Sequence, residues 1–400
     1  MIRKVNSPIL APKRERIETR PRAADYLRLM IMLFALGAAA CGKGGKTQAS
    51  DAGDDGACYY RASLLQGLNF DHYLWQGGNP PEPPEIFRTK EQVIAFENGY
   101  VRPNLNRLPA DIESLKGFLR QADQQGRITW IGGKNYEIYD VLQREIAAAG
   151  LGRNVHVLFG TVHGVTAQIG YFNELLSAGA DGQKIKGVTH VVLEIERENE
   201  AAGNAQNRLD HYLVTGQDRL ILQPKNNTGR PMGSEEETYL RNHLLEIAYE
   251  QCYNVVLGNV PGEISGELEA SLGAYYWLGA RDIYAVKSFQ QRQMAGKNVA
   301  FWLGGASHVE KHRLPFYLGI QDPGARVISV VVNGGMYTDY FSFDRALKEL
   351  GWLERPFILR LDGYREADYV LHIPTGGSEW LTGVSGREHP VLQQIYDPPE

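Results

Sequence analysis

The sequence predicts an α/β protein, a single domain with a mostly parallel β-sheet flanked by helices. Three observations lead to this prediction: short apolar runs rich in β-branched residues recur along the chain, polar residues rarely interrupt them, and stretches with helical periodicity separate them. Strands that are apolar on both sides are buried on both faces, which is typical of parallel sheets covered by helices. The apolar runs are residues 155–159, 188–195, 253–257, 299–303 and 327–332, and the helical stretches are residues 166–177, 198–214, 235–251 and 267–295.

The domain is expected to begin near residue 106 with two further helices and a strand. Pro109, followed by Asp111 and Glu113, predicts a helix that continues to about residue 124, because proline and acidic side chains both suit a first helical turn. Residues 128–131 predict a short strand and residues 136–149 the next helix. We expect the domain to extend over residues 106–375, followed by a C-terminal tail, residues 376–400.

Length, composition and charge agree with a globular protein that does not bind nucleic acid. The chain has 400 residues, of which 43% are hydrophobic and 22% charged, and these values exclude a collagenous, coiled-coil or wholly disordered protein. Its three cysteines exclude a scaffold held together by disulfides. The first 28 residues carry eight Lys and Arg against three Asp and Glu, whereas residues 41–400 carry 34 against 44. A body with this excess of acidic residues argues against a broad basic face for nucleic acid.

The first 40 residues predict an export signal. A basic region is followed by an uncharged apolar run, residues 29–40, which is shorter than the roughly 20 residues needed to span a bilayer. The run ends in small residues at Cys41, and this pattern resembles the lipobox of bacterial lipoproteins. The resemblance implies that Cys41 is acylated, for example with palmitate, and becomes the mature N-terminus. Ordinary signal cleavage near Ala40 and a plain N-terminal anchor are the alternatives. Gly42, rather than Asp, implies an outer-membrane lipoprotein that faces the periplasm, although the leaflet stays open.

Residues 41–105 are expected to form a flexible tether and an irregular lead-in that packs on the domain. Residues 42–56 are rich in Gly, Ser and Asp, and residues 57–105 contain several aromatic side chains and a proline cluster. Cys58 and Cys252 are able to pair in an oxidising compartment. The apolar helical pattern before Cys252 instead favours a buried free thiol.

Polar residues follow the ends of four predicted strands. Since ligands of open parallel sheets bind beyond the carboxyl ends of the strands, these side chains are candidates for one shared site. Two histidines and a carboxylate are suitable ligands for a divalent transition metal with open coordination positions. A histidine oriented by the carboxylate could alternatively be a general base. Each residue taken alone is also compatible with a purely structural role. The four candidates are His163, Glu194, Asn259 and His308.

The same stretches carry a resemblance to a known family. Residues 157–163, 191–194 and 301–308, which contain three of the candidates, occur in order with residues 209–213, 239–248, 292–295 and 314–318. With these motifs, residues 106–375 resemble the ChaN-like family of bacterial haem-binding lipoproteins, which is grouped with Tiki-type metalloproteases, TraB proteins and erythromycin esterases.

The resemblance implies a lipid-anchored protein that binds haem, or a related tetrapyrrole, for iron acquisition. Axial ligation by Tyr or His is typical of such a site. His163, Glu194, Asn259 and His308 would be the cofactor-binding residues, and a haem-uptake receptor the partner. The oligomeric state stays open.

Two departures from the family pattern bear on the alternative functions. Thr161 stands where the family usually has Glu, and Gln293 where it usually has an acidic residue after Arg292. Loss of a carboxylate beside His163 weakens the alternative of a metal-assisted hydrolase, in which His163, Glu194 and His308 would be metal ligands or catalytic residues. A third alternative is a degenerate relative that retains only the scaffold.

Overall fold

The computed structural model describes residues 84–132, 136–150, 152–161, 166–177, 185–196, 205–216, 235–294, 296–332 and 340–374. The export signal, Cys41, Cys58, the tether and the tail lie outside these residues, and so does His163. In chain order the described strands are β1 Ile128–Trp130, β2 Val155–Thr161, β3 His190–Glu196, β4 Asn254–Asn259, β5 Val299–Gly305, β6 Arg326–Val332, β7 Phe357–Arg360 and β8 Tyr369–His372. The described helices are α1 Lys90–Glu97, α2 Ile112–Gln124, α3 Tyr136–Ala148, α4 Thr166–Leu176, α5 Ala205–Thr215, α6 Glu235–Glu250, α7 Gly262–Gln290, α8 Ala306–Val309, α9 Leu314–Gln321 and α10 Tyr340–Leu350.

The strands form one sheet in the order β1-β7-β8-β6-β2-β5-β3-β4. Neighbouring strands from β8 to β4 are parallel, and β7 is antiparallel to both β1 and β8. The predicted class, an α/β fold with a mostly parallel sheet flanked by helices, is confirmed. The antiparallel pairs at one end were not predicted.

Helices cover both faces of the sheet because alternate side chains of each strand point to opposite sides. On β2, Val157 and Phe159 belong to an apolar core shared with α3, α4, α5 and α6, which we call the first face. Leu158 belongs to a second core with Trp302 and with α2, α7, α9 and α10, which we call the second face. None of the helices in the described part combines the length and the apolar character needed to cross a bilayer.

The lead-in is more regular than predicted, because α1 lies inside it. Thr89 and Gln92 form a reciprocal capping box at its start, and Val93 is fully buried in the second-face core. Phe87 and Phe96 pack against the same core, whereas the other aromatic residues of the lead-in before residue 84 lie outside the described residues. The short helix escaped prediction because a single buried residue produces no apolar periodicity.

Cys252 is disulfide-bonded and only partly buried, so the expectation of a buried free thiol is wrong. Its partner lies outside the described residues, where the two other cysteines of the chain, Cys41 and Cys58, are found. Cys252 follows the end of α6 with a left-handed backbone (φ 60°), so the helical pattern before it does not continue through it.

Candidate functional site

Five polar side chains meet on the second face, at the carboxyl edge of the sheet. Glu194 comes from β3, Asn259 ends β4, and His308 lies on α8, the short helix that follows β5 directly. Arg281 and Asp282 reach the same place from the middle of α7. We call these five residues the edge cluster.

Three donors among the described residues hold Glu194. Its Oε1 accepts a hydrogen bond from Arg281 Nη2 and lies 3.1 Å from His308 Nε2, and its Oε2 accepts from the backbone N–H of Gly305 at 2.5 Å. The register between β3 and β4 shifts between Leu193 and Glu196, an irregularity of the kind that redirects a side chain. A Cβ atom at Gly304 would come within 3.1 Å of Glu194 Oε2, so the glycine makes room for the carboxylate.

His308 bridges two carboxylates. Its Nδ1 lies 2.5 Å from Asp282 Oδ1, and the residue is only 6% exposed. Burial is the largest single influence and lowers the pKa of His308, but the Glu194 and Asp282 carboxylates together outweigh it and raise the pKa to about 9. The ring is therefore an imidazolium at neutral pH, and both of its nitrogens donate.

In this state both ring nitrogens of His308 face carboxylates, so coordination of a metal or of haem iron by His308 requires loss of a proton from the ring, and that role stays a prediction. Among the described residues, no group of three or more His, Cys, Asp or Glu side chains is arranged to hold a metal ion. In the described structure His308 links the carboxylates of β3 and α7.

Arg281 and Asp282 are the members of the edge cluster that the sequence analysis missed. Arg281 Nε donates to Asn259 Oδ1 at 3.0 Å, and its guanidinium carbon lies 5.5 Å from the centre of the Trp277 ring. The available signal was two adjacent charged residues inside an otherwise apolar helical stretch, residues 274–286. Charged side chains at such positions are rarely buried unless they are paired.

The edge cluster borders a cavity of about 30 Å³. This volume holds about two water-sized groups, and it is far too small for a porphyrin. Asp282 is 2% exposed, and its Oδ2 has no hydrogen-bond partner among the described residues. The cavity is lined by Val192, Leu193, Glu194, Gly258, Asn259, Arg281, Asp282, Ala285, Trp302, Leu303, Gly304, His308, Val309 and Leu314.

The structure thus brings together three of the four predicted site residues, Glu194, Asn259 and His308, and the fourth, His163, lies outside the described residues. Thr161, the last residue of β2, is described, and its hydroxyl donates to the carbonyl oxygen of Gly304 at 3.2 Å.

Gln293 lies away from the edge cluster. The carbonyl of its neighbour Arg292 contacts the ring of His190, which begins β3, at 2.9 Å. This contact is at the amino edge of the sheet. The residue at position 293 therefore does not supply or remove a charge at the carboxyl edge.

Gly160 fixes the distance between β2 and α8, the helix that carries His308. A Cβ atom there would lie 2.4 Å from Val309 Cγ2 and 2.9 Å from Ala306 Cα. We expect Gly160→Ala to lower the free energy of unfolding by about 1–3 kcal/mol in urea denaturation, because the core must shift to admit the methyl group.

The matched control is Gly117→Ala in α2, where a Cβ atom would meet nothing within 4 Å. It should stabilise the chain by about 0.5–1 kcal/mol through helix propensity. Equal effects of the two substitutions would contradict the tight packing at Gly160.

The fold and its edge cluster define an α/β protein with a charged site at the carboxyl ends of parallel strands. No family model matches the chain, and no curated protein matches it. The chain is similar to a solved structure described as "Cofacial heme binding to ChaN of Campylobacter jejuni", with 14% sequence identity over 57% of this chain and 89% of that chain and a TM-score of 0.31. This similarity is distant.

Proposed function

We propose that this chain binds haem, or a related tetrapyrrole, at the carboxyl edge of its sheet, on behalf of iron acquisition. The observation that carries the proposal is the meeting of Glu194, Asn259 and His308 beside the end of β2. Thr161 ends that strand and contacts Gly304, and Glu194 accepts from the next backbone N–H. His163 follows Thr161 by two positions in the sequence and lies outside the described residues, so its part in the site belongs to the proposal.

In this proposal His163 supplies the axial imidazole, and the edge cluster contacts the ligand through its polar side chains. A neutral imidazole is a common ligand of haem iron. His308 does not fit that part, because both of its nitrogens contact carboxylates. The porphyrin ring itself would be bound outside the 30 Å³ cavity, which cannot contain it.

We further propose that the protein is a lipoprotein of the cell envelope, anchored at Cys41, facing the periplasm and delivering to a haem-uptake receptor. The support is the basic and apolar pattern of residues 1–40 together with the disulfide at Cys252. Disulfides persist mainly in compartments outside the cytosol.

The test is a titration of the purified full chain, in mild detergent, with ferric haem. We expect a saturable shift of the Soret band, which His163→Ala abolishes. The matched control is His243→Ala in α6, where 43% of the histidine side chain is accessible, and this variant should bind haem normally. A wild-type chain without a saturable shift would overturn the proposal, and an unaffected His163→Ala variant would overturn the axial ligand.

A hydrolase is the second candidate, favoured by the pairing of an imidazolium with Glu194 beside a water-sized cavity. A positioned imidazolium is a suitable general acid. The metal-assisted form would require stoichiometric Zn, Mn or Co in elemental analysis of the same preparation, without a Soret shift. The metal-free form would require ester hydrolysis that is lost in Glu194→Gln. If the chain bound neither haem nor metal and hydrolysed no ester, the remaining interpretation would be a degenerate relative that retains only the scaffold.

A further inference from the structure

The edge cluster has two hydrogen-bond donors that its internal contacts do not use. Arg281 donates through Nε and Nη2, which leaves Nη1 without a partner in the described part of the chain. Asn259 is engaged through its Oδ1, and no described residue contacts its Nδ2. Both side chains line the cavity.

The hydrogen bonds fix which end of the Asn259 amide is the donor. Its Oδ1 accepts from the Val260 N–H at 2.9 Å and from Arg281 Nε at 3.0 Å, and both of these groups can only donate. The amide therefore cannot be turned round without losing both bonds. Nδ2, which can only donate, has to take the other position.

Size and charge select the group that these donors would bind. A cavity of about 30 Å³ admits about two water-sized groups, which suits the two oxygens of a carboxylate but no ring. Among the described residues that line the cavity, Arg281 and the imidazolium of His308 balance Glu194 and Asp282, so an entering anion meets no excess of negative charge from these residues. An arginine and an amide are common partners of a carboxylate.

We propose that Arg281 and Asn259 form a subsite for a carboxylate group of the ligand bound at the carboxyl edge. For haem this group is a propionate, and this identification rests on the proposed function. The propionate enters the cavity while the porphyrin ring stays outside, so a small cavity serves a large ligand. Arg281 thereby has two tasks, because it also holds Glu194.

The test compares ferric haem with haem dimethyl ester, in which both carboxylates are masked. Wild-type chain should bind haem about tenfold or more tightly than the ester, the difference expected for loss of a charge-assisted hydrogen bond. Asn259→Asp keeps the size of the side chain and its acceptor but replaces the donor with a charge that repels a carboxylate. It should lose about tenfold in affinity for haem and nothing for the ester.

Arg281→Met is a second variant, which removes the guanidinium but keeps an unbranched apolar stem next to Trp277. Like Asn259→Asp, it should lose affinity for haem but not for the ester. Its folding is checked by circular dichroism, and the matched control is Arg345→Met, at an arginine whose side chain is 68% exposed. Equal affinities of the wild-type chain for haem and the ester, unchanged in Asn259→Asp, would overturn the subsite but leave haem binding intact.

A wild-type chain that binds neither haem nor the ester would overturn the proposed function, and a simpler probe then decides about the subsite. Propionate itself has the carboxylate and the two-carbon arm and needs no axial ligand. Calorimetric titration should show propionate binding to the wild-type chain and to Arg345→Met but not to Asn259→Asp. Equal heats for all three would overturn the subsite.

Discussion

Asp282→Ala is expected to lower the free energy of unfolding by about 3–5 kcal/mol at pH 7, the cost of removing one partner from a buried ion pair. Asp282 is 2% exposed and lies 2.5 Å from His308 Nδ1. Without the Asp282 carboxylate, the His308 imidazolium still contacts Glu194 through Nε2 but has lost the acceptor at Nδ1. Urea denaturation followed by circular dichroism measures the change.

The matched control is Arg345→Ala, which breaks an exposed ion pair with Glu349 at 3.4 Å. Exposed pairs contribute about 0–1 kcal/mol, so this variant should be close to the wild type. If Asp282→Ala were no more harmful than Arg345→Ala, the edge cluster would not be a buried charge network.

The second large effect is a loss of stability at alkaline pH. The pKa of His308 is about 9 in the folded chain, against 6.5 for an unperturbed histidine. The folded state therefore holds a proton that the unfolded state has released, and the contribution of His308 is complete below pH 6.5 and disappears as the pH rises through 9. A shift of this size corresponds to about 3 kcal/mol in total, of which about 2 kcal/mol falls between pH 7.5 and 9.5.

The measurement is urea denaturation at pH 7.5 and 9.5 for the wild-type chain and for His308→Gln, which carries no titratable ring. Burial also raises the pKa of Asp344, to about 7, and that group acts below the chosen range. We expect the wild type to lose about 2 kcal/mol more than the variant. Parallel behaviour of the two chains would show that His308 is not held as an imidazolium.

The central strands and most of the edge cluster could be predicted from the sequence because both are expressed locally. Strands β2 to β6 are buried on both faces, so each appears as an apolar run, and the residue after a run must lie at the carboxyl edge. Glu194, Asn259 and His308 were found in this way. The antiparallel β7 and β8 are four residues each, too short for a clear pattern.

The contacts of the edge cluster could not be predicted, since they join residues far apart in the chain. Arg281 and Glu194 are separated by 87 residues, and Asp282 reaches His308 across 26. A histidine after a strand reads equally well as a metal ligand or an ion-pair partner. The protonation of His308 depends on Glu194 and Asp282 together, and the position of Asp282 in the middle of a helix gives no indication of the sheet edge.

Haem binding at the carboxyl edge is tested by the position of iron in a crystal of the chain grown with ferric haem, located by anomalous diffraction at the iron absorption edge. We predict iron at the carboxyl edge, beside the end of β2, with a haem propionate at Arg281 and Asn259. Iron elsewhere, for example in the open groove of about 400 Å³ between Tyr100 and Phe316, would contradict this prediction.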